Sequence, residues 1–140
     1  MDRIVPVEGY IKETGTEKGR GVFAGRNFCK GEIIEIAPVI VMRRPFKSVP
    51  PVLQMVVFNW GVLAKLPRPA SAVVLGYGSM YNHANPANMR YFANPEDETM
   101  HYVAVTDVAK DEELTVNYNA GDSEVSVADV WFKRRNIEPI

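Results

Sequence analysis

Asn82-His83-Ala84-Asn85-Pro86-Ala87-Asn88 gathers an imidazole and several amides in one short stretch. It directly follows Leu75-Gly76-Tyr77-Gly78-Ser79-Met80-Tyr81, which is apolar, glycine-interrupted and aromatic. Asn and His together in a buried turn are costly unless every donor and acceptor is paired. Such a turn either offers an amide and an imidazole to a polar ligand, such as an adenine edge, or ties two loops together. A metal role for His83 is disfavoured, because the only other histidine, His101, has no ligand-like spacing to it.

Three further stretches carry candidate chemistry. Lys18-Gly19-Arg20-Gly21-Val22-Phe23-Ala24-Gly25 superficially suggests a dinucleotide loop, but its glycines fall off the Gly-x-Gly-x-x-Gly spacing and a strand pattern follows. Gly19 and Gly21 around Arg20 instead describe a turn whose backbone can approach a ligand closely. Glu112-Glu113-Leu114-Thr115-Val116-Asn117-Tyr118 is a strand after a charged turn, and a tyrosine ending a strand is ordinarily amphipathic core. Trp131-Phe132 either packs in the core or lids a flat ligand.

The elements that must position these residues are mostly strands. Gly21 to Ala24 leads through Cys29-Lys30-Gly31-Glu32 into the β-branched run Ile33 to Val41. A similar unit recurs: Tyr102 to Val105, then Ala109-Lys110-Asp111-Glu112-Glu113, then Leu114 to Tyr118. The two turns suggest related β units, though two copies are too few for a solenoid. Between them, prolines punctuate residues 43–70. Pro51 to Leu66 is expected to hold one short helix with Val52, Leu53, Val56, Val57, Trp60 and Leu63 on its buried side, weakened by Gly61. Ser126 to Arg134 suits a terminal helical turn capped by Ser126. No linker divides the chain, so residues 1–140 read as one mainly β domain with a variable, partly helical insert over 43–70.

Composition removes most competitors. The chain has 140 residues, 46% hydrophobic and 24% charged, ordinary values for a globular domain able to bury a core. Sixteen basic against seventeen acidic residues give a net charge of −1, without the basic excess expected of a nucleic-acid binder. One cysteine, Cys29, excludes an internal disulfide and a multi-cysteine zinc cluster. The start lacks the apolar run of a signal peptide, and the longest apolar stretches, near Ala37 to Met42 and Met55 to Phe58, cannot span a bilayer. A soluble, intracellular protein with no membrane partner is expected.

Taken in order, the four motifs resemble the SET-domain family of protein-lysine methyltransferases, in particular its compact stand-alone viral and bacterial members. The resemblance covers roughly Ile11 to Phe132. It implies a β-clip-like fold of several short sheets with a threaded C-terminal segment, and a post-SET-like segment over 122–140 without a zinc cluster. It further implies an enzyme that moves a methyl group from S-adenosylmethionine to lysine side chains of a protein substrate, a histone or nucleoid protein among the compatible ones.

Residue by residue, the resemblance places Lys18, Gly19 and Arg20 around the methionine part of the cofactor. Asn82 and His83 fall on its methionine and adenine contacts, and Trp131, then Phe132, on the aromatic that stacks on adenine. Tyr118 takes the catalytic position in a lysine channel lined also by Tyr77 and Tyr81, and no metal is implied. This chain departs from the family pattern at Ala84-Asn85 after the Asn-His pair, at Pro86, at Asn117, and at Val56, where compact relatives carry a tyrosine. Val56 is the feature that leaves a non-catalytic SET-like binding module as the alternative to an enzyme. The apolar segment around Val127, Val130, Trp131 and Phe132 points to a homodimer.

Overall fold

The computed structural model describes residues 3–54 and 56–118. Trp131, Phe132, the rest of segment 122–140 and any threading of the chain's last part lie outside those residues, as does the surface expected to form a dimer.

Two curled sheets form the domain. In the first, β1 (Gly9–Glu13) and β2 (Arg20–Ala24) form an antiparallel pair with Gly9 opposite Ala24 and Glu13 opposite Arg20. In the second, β3 (Ile33–Met42) is central, flanked by β5 (Ser71–Val74) and β8 (Thr99–Ala104). The short strand β4 (Val57–Phe58) pairs with β5, and β7 (Met89–Asn94) pairs with β8. The first sheet is completed by β9 (Glu113–Val116), which pairs antiparallel with β2 and parallel with β6 (Asn82–His83). The mainly β expectation therefore holds, with β9 drawn between two strands far from it in sequence.

The core lies where the sheets face each other. Val22, Ile34, Trp60, Tyr81, Met100, Tyr102, Leu114 and Val116 are all essentially buried. β8 is buried at every position, so it reads as a continuous run rather than an alternating one.

The two related β units meet each other directly. Phe28 and Val108 exchange both backbone hydrogen bonds at 2.8 Å. The Lys30 amide donates to Asp107, and the Lys110 amide donates to Asn27, each at 2.8 Å. Within each turn a glutamate side chain accepts from the backbone three residues earlier: Glu32 from Cys29 at 3.0 Å, Glu112 from Ala109 at 3.1 Å. Gly31 and Asp111 both take positive φ, 89° and 72°, as the tight turn demands. The turns are thus locally alike and bonded reciprocally, which fixes where β3 and β9 begin.

The single helix expected over Pro51 to Leu66 does not form. The segment holds two one-turn helices, α1 (Pro51–Gln54) and α2 (Trp60–Leu63), separated by β4. Val57 and Trp60 are buried, but Val52 is 80% exposed, and Leu53 and Val56 are exposed too. Pairing of β4 with β5 outbids helix continuation, and Gly61 sits so close to the Arg68 carbonyl (2.9 Å from an added Cβ) that a regular helix with a side chain there does not fit. Among the described residues, no helix is long and apolar enough to cross a membrane.

Candidate functional site

The Gly19–Gly21 turn and the Asn82-His83 strand come together through β9. The turn closes on itself: the Thr14 amide and hydroxyl donate to the Gly19 carbonyl at 2.8 and 2.7 Å. Gly19 has φ of 75°, and a Cβ there would meet nothing within 4 Å, so its backbone faces open space. Gly21 is different. An added Cβ would collide with the Glu113 carboxylate and lie 3.0 Å from Asn82 Nδ2, so glycine is what lets those two side chains cross over β2.

The crossing is a clamp. Asn82 Nδ2 donates to the Arg20 carbonyl at 2.9 Å and to Glu113 Oε2 at 2.8 Å. Lys18 Nζ donates to the His83 carbonyl at 2.8 Å. Turn, strand β6 and strand β9 are therefore held in one unit by side chains from each. The Asn82 amide nitrogen spends its protons on the protein.

Asn88, further along the same loop, works as a peptide-like plug against β9. Its Nδ2 donates to the Glu113 carbonyl at 2.8 Å, and its Oδ1 accepts from the Thr115 amide at 2.8 Å. The loop-tying reading of this stretch holds for Asn88, which satisfies strand groups that a neighbouring strand would otherwise take.

Tyr118 sits where β9 ends. Its hydroxyl donates to the Tyr81 carbonyl at 2.7 Å, and its amide donates to His83 Nδ1 at 3.2 Å. The His83 and Tyr118 rings are 5.3 Å apart and tilted. Burial, with a smaller contribution from the Glu113 charge, pushes the Tyr118 phenol up to about 12. The hydroxyl is therefore neutral at physiological pH. Because its proton points at Tyr81, its lone pairs are what it can present elsewhere.

Behind Tyr81 lies a group that sequence reasoning passed over. Tyr81 itself is buried, and its hydroxyl donates to Glu35 Oε1 at 2.6 Å. Glu35 Oε2 accepts from the Tyr77 amide at 3.0 Å. Glu35 is only 2% exposed, and burial raises its carboxyl above the usual range despite these two donors. The Tyr81 ring also lies 4.8 Å from that of Tyr102, whose hydroxyl donates to the Gly78 carbonyl at 3.2 Å. The one trace of Glu35 in the sequence is its place as a lone acid inside the apolar run Ile33-Ile34-Glu35-Ile36-Ala37.

The structure thus brings Lys18, Gly19, Arg20, Asn82, His83, Tyr81 and Tyr118 into one bonded neighbourhood. Tyr77, half-buried, joins it through its backbone, whereas the Tyr81 side chain points into the core and only its carbonyl reaches Tyr118. The Ser79 hydroxyl lies 3.1 Å from both the Val56 and the Val74 carbonyls, which ties Val56 to β5. Among the described residues, no group of three or more His, Cys, Asp or Glu is placed to hold a metal.

A model of the SET domain matches residues 19–119, and the chain belongs to that family. Among solved structures, a candidate histone methyltransferase of Plasmodium falciparum superposes with a TM-score of 0.64 at 24% identity, covering 82% of this chain and 96% of the other. A Neurospora SET-domain histone lysine methyltransferase superposes at 0.62 and 19% identity, covering 84% of this chain and 54% of that one. A humanized mutant of the Chaetomium thermophilum Polycomb Repressive Complex 2 gives 0.62 at 16% identity, over 84% of this chain and 16% of its own. This chain spans about half of the Neurospora protein and a small part of the Chaetomium one. No curated protein matches.

Proposed function

We propose that this chain is a protein-lysine N-methyltransferase that uses S-adenosylmethionine. The observation that carries the reading is the Tyr118 hydroxyl, held by the Tyr81 carbonyl beside His83 and next to the clamped Gly19–Gly21 turn, in a chain of the SET family.

The residues present fit the amino-acid end of the cofactor. Open backbone at Gly19, the Lys18 ammonium and the exposed Arg20 guanidinium make a cationic, donor-bearing turn suited to a carboxylate. Lys18, Gly19, Arg20, Asn82 and His83 would hold that end, Asn82 chiefly by fixing the turn. Stacking on the adenine is assigned to Trp131 and then Phe132, outside the described residues. S-adenosylmethionine supplies an electrophilic methyl group on a sulfonium.

The chain's own part is positioning. A lysine amine has an ordinary pKa of ~10.4, and an apolar, aromatic channel favours its neutral, nucleophilic form. Tyr118 walls that channel with its ring. Its hydroxyl, donating to Tyr81, turns oxygen lone pairs toward amine N–H groups and toward positive charge. Glu35 and Tyr81 stiffen the turn that carries the accepting carbonyl. Alignment rather than acid-base chemistry would supply most of the rate.

Incubation with isotope-labelled S-adenosylmethionine and a panel of histones, nucleoid proteins and whole-cell extract, followed by mass spectrometry of modified lysines, tests the reading. Labelled lysines are expected. Calorimetric binding of the cofactor without any turnover would identify a binding module instead, and absence of binding at millimolar cofactor would end the transferase reading. The same reading includes an intracellular, soluble homodimer. Sedimentation as a single species near 15.7 kDa at tens of micromolar would reject the dimer.

A further inference from the structure

The net charge of −1 conceals a segregation. Between Glu35 and Glu96 the sequence has no acidic residue, while it has Arg43, Arg44, Lys47, Lys65, Arg68 and Arg90. Every acid lies in the two flanking parts. Five of these six cations, all but Arg90, are exposed.

Much of that positive surface surrounds a groove of about 980 Å³ in the insert. Its walls include Phe46, Val62 and Leu66, with Pro45, Pro67 and Pro69, and its cations are Lys47, Lys65 and Arg68. Val62 is 71% exposed and Leu66 37%. Val52, Leu53 and Val56, the aliphatics that the expected helix would have buried, are exposed in the same insert. The ion pairs found among the described residues join Arg20 and Arg26 to glutamates, and none engages a cation of the groove.

From these observations we infer that the groove is a docking surface for an acidic, apolar-interspersed segment of a partner protein. Carboxylates answer three cations that pair with no acid among the described residues, and aliphatic or aromatic side chains answer the exposed Val62 and Leu66. A nucleic acid answers only the charge. Its phosphates give the exposed aliphatics nothing to pack on, and three cations would neutralise few of them. The groove is also the wrong sign for a lysine-rich segment.

The rigidity of the groove has an identifiable source. Gly61 backs onto the Arg68 carbonyl and the Ala70 amide, 2.9 and 3.0 Å from where its Cβ would be, and its own amide donates to the Ala70 carbonyl at 2.9 Å. The Lys65 turn, at φ 56°, is fixed from the other side by the Leu66 amide donating to the Gly61 carbonyl at 2.9 Å. A preformed surface loses less entropy on binding than a loose loop.

The test is fluorescence anisotropy on the full chain with a labelled synthetic peptide rich in glutamate and carrying leucine or phenylalanine every few residues. The same peptide with lysine for glutamate and a labelled DNA duplex serve as competing probes. The acidic peptide is expected to bind at micromolar concentration, and the double variant Lys65→Glu/Arg68→Glu to weaken it by roughly tenfold or more. Val62→Ser should weaken it as well, and should keep doing so in high salt, where the charge contribution is screened. Unaltered thermal melts establish that these exposed positions do not report misfolding. Tighter binding of the DNA or the lysine peptide, equal binding by the double variant, or no binding at millimolar peptide overturns the inference. So does a self-association that the double variant abolishes while the peptide stays unbound. No cofactor or turnover is involved, so the result is independent of the transferase reading.

Discussion

The Tyr118 hydroxyl donates to the backbone carbonyl of Tyr81 at 2.7 Å, joining the end of β9 to the turn before β6. Tyr81 in turn spends its own hydroxyl on Glu35, so a buried carboxylate, a core ring and the proposed catalytic phenol form one connected line. The orientation of the last member is thus set two residues away from it, inside the core.

Tyr118→Phe isolates the oxygen from the ring. Packing is nearly conserved, so the fold should survive, with a loss of about 1 kcal/mol for one hydrogen bond. Methyl transfer in single turnover should fall ~10²-fold or more, as for loss of one oriented electrostatic group. Near-full turnover on a confirmed substrate would remove Tyr118 from the catalytic role, and outright unfolding would make it a core tyrosine.

The raised Tyr118 value gives a pH expectation. Burial pushes the phenol up to about 12, so it stays predominantly protonated over the range in which a lysine amine titrates. Rate should therefore climb with pH as the substrate amine loses its proton, without a fall attributable to Tyr118 over that range. A descending alkaline limb in wild type that vanishes in Tyr118→Phe would contradict this.

Asn82→Ala releases the clamp on the Gly19–Gly21 turn. Two hydrogen bonds go, one to a carboxylate, which predicts a stability loss of about 1–3 kcal/mol by thermal melt. Calorimetry should show S-adenosylmethionine affinity reduced by roughly tenfold, with the rate at saturating cofactor less affected. An unchanged affinity in a folded variant would separate the clamp from the cofactor site.

Glu35 makes stability depend on pH with an unusual sign. Its folded carboxyl is raised by burial, so the folded state holds that proton more tightly than the unfolded chain does. Its contribution is therefore fullest below the ordinary carboxylate range and is lost as pH rises through the raised value. Glu35→Gln should remove that decline, read as a flatter dependence of melting temperature on pH from the acid side toward neutrality. A decline identical in the variant would assign it to other groups.

Gly61→Ala should destabilise the insert by about 1–3 kcal/mol, because the added methyl meets backbone that is held on both sides. Hydrogen exchange should localise the loss to residues 59–70, leaving β8 and β9 protected. A variant as stable as wild type would mean that the Arg68–Ala70 backbone can yield.

What the sequence determined by itself was local. The β-branched runs and the paired Lys-Gly-Glu and Lys-Asp-Glu turns marked β3 and β9, because strand period and turn chemistry depend on neighbours along the chain. The order of the Gly19-x-Gly21, Asn82-His83 and Tyr118 motifs pointed to the family and nominated a candidate site. Tertiary structure decided the rest. Val52, Leu53 and Val56 looked like a helix face, yet pairing of β4 with β5 broke that helix, and pairing partners distant in sequence leave no local trace. That the Asn82 amide nitrogen is spent on Arg20 and Glu113 was not legible in the sequence, because it depends on Glu113 crossing over Gly21. Glu35 and the side-chain direction of Tyr81 were settled only when β3 and the turn before β6 met, since the destination of a buried polar group is fixed by three-dimensional contact and not by spacing.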